Sequence, residues 1–190
     1  MKAEDKIYKV FFELQEPKLY YNQIKEHSKL SHSSLQNSIE KLKKSNIIEE
    51  EKTKSNTFYK INDKKLFALK FSEIAITKFN KLKSNIKTPL NNFLKHLPEE
   101  IYTIILFGSA SRGEEIKDSD IDLLIISNKK QNLSKNKKEA EITSKYPISL
   151  FQATTSQFKQ NKDDVIIQAR KTGFPIYKEQ NFYEVLLDGY

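Results

Sequence analysis

The sequence predicts an α/β chain of two domains, and three observations lead to this fold class. Apolar residues recur with helical spacing along the front of the chain, and two short β-rich runs follow them. Two strongly apolar runs, IYTIILF and IDLLII, then flank a turn that begins at Gly108. The chain has no cysteine, so disulfides and cysteine-based metal sites are excluded. We place the first domain at residues 1–65 and the second at residues 98–190.

The first domain is predicted to contain three helices and a hairpin. Apolar residues between Ile7 and Leu14 recur at i, i+3, i+4 and i+7, and Pro17 ends this first helix. LYYNQIKEHSKL predicts a second short helix, and Ser31 is the expected N-cap of a third that runs to about Ser45. IIEEE and TFYKI are the expected strands of the hairpin. This order of elements is that of a winged helix-turn-helix domain.

A polyanion is the partner that the charge distribution favours for this domain. Residues 1–65 hold 14 Lys against 10 acidic residues, whereas residues 101–190 are nearly balanced. A lysine-rich composition bias would produce the same excess. LSHSSLQNSIEKLKKSNIIEE also resembles the recognition-helix segment of winged-helix regulators. The expected contacts with double-stranded DNA come from the third helix and the hairpin turn, namely Ser33, Gln36, Asn37, Lys41, Lys44, Lys52 and Lys54. Three glutamates at 49–51 favour the alternative, a protein-docking module.

A helical connector is expected over residues 66–97. Its apolar pattern predicts one helix through about residue 87. Thr88 and Pro89 are then expected to cap and begin a second helix that runs to Leu97.

A Gly-Ser turn and two aspartates define the candidate site of the second domain. Backbone N–H groups at Gly108 and Ser109 are suited to cradle phosphate, and Arg112 offers further positive charge. Asp120 and Asp122 alternate along a strand, so both carboxylates project from the same side. Two neighbouring carboxylates repel unless a cation lies between them, and Mg²⁺ bound together with substrate phosphates resolves that repulsion.

The spacing of these residues resembles a known signature. Gly108-Ser109, ten residues, then Asp120-x-Asp122 is similar to the motif of minimal nucleotidyltransferases in the DNA polymerase β superfamily. The resemblance covers roughly residues 88–188. It implies a nucleotidyltransferase fold with a mixed β-sheet flanked by helices, Mg²⁺ as cofactor and an NTP, expected to be ATP, as substrate or ligand. The residues that it implies are Asp120 and Asp122 for catalysis and metal binding, and Gly108, Ser109, Arg112 and Ser119 for the nucleotide.

One position departs from the family pattern. Family members carry a third carboxylate on a later strand, where it helps to activate the attacking hydroxyl. The matching strand here is YPISLFQAT, and the matching position is Ser149. No Asp or Glu occurs from residue 142 to residue 162, which puts turnover in question.

Two functions therefore stay open beside the docking module. The first is an enzyme that moves NMP from an NTP to a hydroxyl acceptor, either a protein or a small molecule. The second is a DNA-binding regulator whose nucleotidyltransferase domain senses nucleotide or has lost activity. We expect a cytoplasmic protein without membrane contact, because the charged start of the chain lacks an apolar signal segment. A homodimer is expected because many winged-helix proteins bind two half-sites.

Overall fold

Two units make up the chain in the computed structural model, which describes residues 2–114 and 119–189. The first unit comprises Met1–Ile74 with Tyr183–Tyr190, and the second comprises Ala75–Phe182. No helix within the described ranges is long and apolar enough to cross a membrane.

The first unit combines helices with a small antiparallel sheet. Its elements are α1 (Ala3–Leu14), β1 (Lys18–Tyr20), α2 (Tyr21–Ser28), α3 (His32–Lys44), β2 (Ile48–Lys52), β3 (Thr57–Ile61) and the start of α4 (Lys64–Asn80). The predicted third helix and the hairpin are confirmed. Ser31 caps α3, since its hydroxyl accepts a hydrogen bond of 3.3 Å from the N–H of Ser34. Aromatic rings fill the core, with Phe67 packed edge-on against both Tyr8 and Phe11.

The prediction for LYYNQIKEHSKL is wrong at its start. Strand β1 occupies Lys18–Tyr20, and helix α2 begins only at Tyr21. Leu19 is fully buried and lies opposite Tyr59 of β3, which places β3 in the middle of a sheet ordered β1-β3-β2. A strand of three residues takes its stability from a partner about forty positions away, so the local pattern does not reveal it.

The prediction for the connector is wrong in its helix boundaries. Helix α4 ends at Asn80, and helix α5 (Ser84–Phe93) begins five residues before Pro89. Pro89 therefore lies inside α5, where it lacks the N–H that would bond to the carbonyl four residues earlier. Ile86, Leu90 and Phe93 bury one face of α5 together with Pro89, and this packing offsets the missing hydrogen bond.

The second unit is built on a four-stranded mixed sheet flanked by helices, as the sequence predicts. After α5 come β4 (Ile101–Phe107), α6 (Gly108–Arg112), β5 (Ile121–Ser127), α7 (Ser134–Glu141), β6 (Ile148–Ala153), α8 (Thr155–Gln160), α9 (Asp164–Thr172), β7 (Phe174–Tyr177) and the start of α10 (Glu179–Asp188), whose residues from Tyr183 onward belong to the first unit. The strand order is β6-β5-β4-β7. Strand β5 runs parallel to β6 and antiparallel to β4, and β7 is antiparallel to β4.

The central strands of this sheet are almost continuously apolar and buried. Strands β4 and β5 each have six of their seven residues buried, as expected for strands covered on both faces. Short polar segments therefore begin where the buried strands end, and the candidate site lies at one such end.

Candidate functional site

The turn that joins β4 to α6 is in direct contact with the carboxylate of Asp122. Gly108 has a φ of +71°, in the left-handed region that favours glycine. A Cβ atom at this position would clash with Oδ2 of Asp122. Phe107 and Asp122 are paired across β4 and β5, which explains why the turn and the carboxylate meet. Glycine is thus required here both by backbone conformation and by space.

The parallel pairing of β5 with β6 brings Ser149 to the two aspartates. Ser149 lies opposite Asp122 in register, and its hydroxyl donates a hydrogen bond of 2.8 Å to Oδ2 of Asp120. The pKa of Asp122 is raised above its ordinary value, first because burial disfavours the charged carboxylate and second because Asp120 is negatively charged. Asp120, Asp122 and Ser149 are all half-buried.

Hydrogen bonds within the turn hold α6 in place. The Gly108 carbonyl accepts one bond of 3.0 Å from Nη1 of Arg112 and another of 2.8 Å from the hydroxyl of Ser111. Arg112 also pairs through Nε with Oε2 of Glu114 at 2.6 Å. The guanidinium is therefore fixed against the same turn that the sequence predicts to bind phosphate.

Two serines complete the description of the predicted nucleotide-binding residues. Ser109, in the first turn of α6, and Ser119, directly before Asp120, are each half-buried. Residues 115–118, between this turn and Ser119, lie outside the described residues.

Ser111 has a structural role that the sequence does not reveal. The residue is 7 % exposed, and its single hydroxyl proton is shared between the carbonyls of Gly108 and Thr172, which lie 2.8 Å and 3.1 Å from Oγ. It thereby ties α6 to the end of α9. A serine in a short polar turn is ordinarily a solvated residue, so its sequence context gives no signal for this contact.

The oxygen atoms at the site suit one magnesium ion. The two aspartates supply hard carboxylate ligands. Burial first, and the negative charge of Asp120 second, raise the pKa of Asp122, and a bound cation would offset both effects. Within residues 2–114 and 119–189, no group of three or more His, Asp or Glu side chains is placed to hold a metal. The donor set fits a Mg²⁺ whose remaining ligands are water and phosphate oxygens.

The predicted DNA-binding residues lie on the first unit and are all exposed. Gln36 and Asn37 line a groove of about 490 Å³ between α3 and β3, together with Tyr21, His32 and Tyr59. The Tyr21 hydroxyl and Nδ1 of His32 are 2.7 Å apart across this groove. Ser33 precedes these residues on the same helix, and Lys44 lies at its end.

Glutamates neutralise part of the positive charge on this unit. Lys41 pairs with Glu4 at 3.3 Å, and Lys52 pairs with Glu50 at 2.8 Å. Lys43, which was not among the predicted contacts, bridges Glu40 and Glu50. Lys54 is exposed in the turn between β2 and β3. The structure therefore brings the predicted contacts to one unit but engages two of the four predicted lysines in ion pairs.

Comparison with known families assigns the segment that carries the aspartates. Residues 88–180 match the family model described as nucleotidyltransferase domain. The C-terminal part of the chain is therefore similar to a nucleotidyltransferase domain, and this similarity supports general transfer of a nucleoside monophosphate. No curated protein and no solved structure matches the chain.

Proposed function

We propose that the chain is a Mg²⁺-dependent nucleotidyltransferase that moves NMP from an NTP, expected to be ATP, to a hydroxyl acceptor. The observation that carries this proposal is the contact between the Gly108 turn and the Asp122 carboxylate inside the matched domain. A phosphate at the turn is then next to the two carboxylates that hold the metal. The acceptor is a hydroxyl of a protein or of a small molecule.

Each residue of the site has a defined role in this reaction. The backbone and hydroxyl of Ser109, with Gly108, Arg112 and Ser119, bind and orient the phosphate chain. Asp120 and Asp122 hold Mg²⁺, which when bound offsets negative charge on the phosphates. The acceptor oxygen forms a bond to the α-phosphorus, the bond from that phosphorus to pyrophosphate breaks, and the hydroxyl proton passes to solvent.

Ser149 limits the rate that this site can reach. Its hydroxyl donates to Asp120, and a neutral hydroxyl is too weak a base to take up the acceptor proton. General-base assistance typically contributes about 10²–10⁴-fold to a rate, and the proposed site lacks it at this position. This is the observation in favour of the second candidate, a domain that binds nucleotide as a sensor and turns it over slowly or not at all.

Calorimetry followed by a transfer assay tests the proposal. Mg²⁺-ATP is titrated into the wild-type chain and into the Asp120→Ala/Asp122→Ala variant, and the same samples are incubated with labelled ATP and candidate acceptors. Binding by the wild type alone, with label transfer and pyrophosphate release, supports the enzyme. Binding by the wild type alone supports the sensor if no label is transferred and no pyrophosphate is released, not even slowly by hydrolysis. If no NTP binds to the wild type, the nucleotide function is wrong.

A second proposed function belongs to the first unit, which we infer to be a winged helix that binds double-stranded DNA. The order α1-β1-α2-α3-β2-β3, with its three-stranded antiparallel sheet, supports a winged helix-turn-helix. Exposed Gln36 and Asn37 on α3 are suited to base edges, and Lys44 and Lys54 to phosphates. The ion pairs of Lys41 and Lys52 instead favour protein docking.

Salt dependence separates these two alternatives. For DNA binding through n phosphate contacts, the logarithm of the binding constant falls linearly with the logarithm of the salt concentration. The slope is about −0.9 for each contact. A Lys44→Gln/Lys54→Gln variant should reduce this slope by about 2. Absence of binding to any duplex at low salt would leave the docking module as the function of this unit.

A further inference from the structure

A strongly basic pocket lies at the C-terminal end of α6. It has a volume of about 270 Å³, and four of the ten described residues that line it are cationic, namely Lys78, Lys81, Lys83 and Arg112. None of the described residues that line the pocket is acidic, although the chain carries 25 acidic residues. The described lining residues therefore give the pocket an excess of positive charge.

The three lysines come from the end of α4 and the segment that leads into α5. Nζ of Lys83 donates to the carbonyl of Gly113 at 3.4 Å, and Nζ of Lys78 lies 4.7 Å from the ring centroid of Phe174. Lys81 is exposed at the pocket mouth. All three precede residue 88, so they lie outside the segment that matches the nucleotidyltransferase domain.

Arg112 joins the pocket to the Gly-Ser turn. Its guanidinium has five N–H donors, of which one bonds to the Gly108 carbonyl and one to Glu114. Among the described residues no other acceptor engages the remaining donors, which suit a ligand that presents several oxygen atoms. The Glu114 side chain is 62 % exposed, so a stronger anion can displace it at little cost in desolvation.

The surroundings of the cations strengthen their attraction for an anion. Leu82, Ile86 and Phe174 form an apolar floor, and charges near such a floor interact more strongly than charges in bulk water. A multiply charged oxyanion matches four cations better than a single carboxylate does.

We propose that this pocket is a phosphate-binding subsite adjacent to the Gly-Ser turn. Helix α6 has only five residues and is about 7–8 Å long at 1.5 Å per residue, so the pocket and the turn flank one short helix. The inference deepens the proposed function and rests on it. The phosphate is either the terminal phosphate of the NTP or a phosphate carried by the acceptor.

The test is a titration of the full chain with inorganic pyrophosphate in metal-free buffer. We expect Lys81→Glu to weaken pyrophosphate binding by about tenfold or more, because a charge-assisted contact becomes a repulsive one. Lys159→Glu makes the same charge change at an exposed site on α8 and should leave the affinity within about twofold of the wild type. Glu114→Gln should tighten binding, because it removes the anion that competes for Arg112. Thermal unfolding checks that each variant is folded.

Comparison of nucleotides identifies the source of the phosphate. If it is the terminal phosphate of the NTP, Lys81→Glu weakens Mg²⁺-ATP binding much more than AMP binding. If ATP binding is unchanged while pyrophosphate binding falls, the subsite serves the acceptor. The subsite is overturned if neither Lys81→Glu nor Glu114→Gln changes pyrophosphate binding.

The Asp120→Ala/Asp122→Ala variant separates this failure from that of the proposed function. It should keep metal-free pyrophosphate binding, because neither aspartate lines the pocket. A wild-type chain that binds pyrophosphate but not Mg²⁺-ATP would refute the proposed function and leave the subsite in place.

Discussion

Gly108 couples the conformation of the backbone to the position of a carboxylate. Its φ is +71°, and a Cβ would clash with Oδ2 of Asp122. We predict that Gly108→Ala lowers the free energy of unfolding by at least about 1–2 kcal/mol, the usual cost of a left-handed Ala, and abolishes Mg²⁺-ATP binding because Asp122 is displaced. Urea unfolding and calorimetry measure the two effects.

Gly113 provides the matched control for this substitution. Its φ is +72°, but a Cβ there would have no atom of the described residues within 4 Å. Gly113→Ala should therefore show the backbone cost of about 1–2 kcal/mol while Mg²⁺-ATP binding persists. Equal loss of nucleotide binding in both variants would show that strain, and not the contact with Asp122, explains the effect.

Asp122 is expected to reduce stability when no metal is bound. Its folded-state pKa is raised above 3.8, so the folded chain binds the proton more tightly than the unfolded chain does. The carboxylate therefore costs stability above its folded pKa, and this cost disappears as the pH falls through that pKa towards 3.8. In EDTA at pH 7, Asp122→Asn should stabilise the chain by about 0.5–1 kcal/mol, a modest gain because solvent screens a half-exposed group.

A second aspartate, Asp164, is expected to stabilise the fold and serves as the control. Asp164 lies in the first turn of α9, where a negative charge interacts favourably with the helix dipole. Asp164→Asn should lower the free energy of unfolding by about 0.3–1 kcal/mol at pH 7. If Asp122→Asn also destabilises the chain in EDTA, the inference that the charged carboxylate of Asp122 lowers stability is wrong.

Ser149 offers a direct test of the metal site. Its hydroxyl lies 2.8 Å from Oδ2 of Asp120, so Ser149→Asp places a third carboxylate beside the pair. Without metal this variant should have a lower Tm than the wild type, because three like charges repel. With Mg²⁺ it should gain more Tm than the wild type gains, because tighter binding to the folded state stabilises it. Ser149→Ala, which adds no charge, should show no such gain, and an equal response of all three proteins to Mg²⁺ would contradict the site.

At the scale of elements, a charged cluster joins α3 to the hairpin. Lys43 bonds to Glu50 and to Glu40, and these partners raise the pKa of Lys43 while Lys43 lowers the pKa of Glu50. The Glu50 side chain is 18 % exposed, so water screens the pair less than it screens a surface pair. A favourable contact of this kind links the helix to β2.

Glu50→Gln is predicted to weaken this link in a pH-dependent way. The folded-state pKa of Glu50 is lowered below 4.5, so its contribution is fully present above pH 4.5 and is lost as the pH falls through the folded pKa. The variant should lose about 1 kcal/mol at pH 7 and converge on the wild type at lower pH. Glu13→Gln, at the exposed Lys9–Glu13 pair, should change stability by less than about 0.5 kcal/mol. A difference for Glu50→Gln that persists unchanged at low pH would contradict an electrostatic origin.

The elements that the sequence predicts correctly are those whose signals are local. Helix α3 has its N-cap at Ser31 and its apolar face within thirteen residues, and β4 and β5 are continuous apolar runs. Strand β1 depends instead on a distant partner in β3, and the start of α5 depends on tertiary packing that outweighs Pro89. Local sequence patterns carry no information on the distant partner of β1 or on the packing of α5.

The sequence likewise reveals some residues of the candidate site, whereas others are brought to it only by the fold. The motif spacing singles out Gly108, Asp120 and Asp122, and the apolar strand pattern singles out position 149. The hydrogen bond from Ser149 to Asp120 depends on the parallel register of β5 and β6, which no turn or motif fixes in the sequence. The lysines of the basic pocket lie more than twenty residues before the motif and meet it only through folding.

At the scale of the whole molecule, the two proposed activities belong to different units. The candidate nucleotide residues all lie in Ala75–Phe182, and the candidate DNA residues all lie in Met1–Ile74. Substitutions that share no partner usually have additive effects, within about 0.3–0.5 kcal/mol. We therefore predict that Asp120→Ala/Asp122→Ala abolishes Mg²⁺-ATP binding and leaves DNA affinity unchanged, whereas Gln36→Ala/Lys44→Gln weakens DNA binding and leaves ATP affinity unchanged.

Fluorescence anisotropy with a labelled duplex measures the DNA affinity of each variant, and calorimetry measures its ATP affinity. The quadruple variant, which combines both pairs of substitutions, should show the sum of both effects. A change in DNA affinity on adding Mg²⁺-ATP to the wild type, absent in the aspartate variant, would contradict independence and would mean that nucleotide regulates the DNA-binding unit.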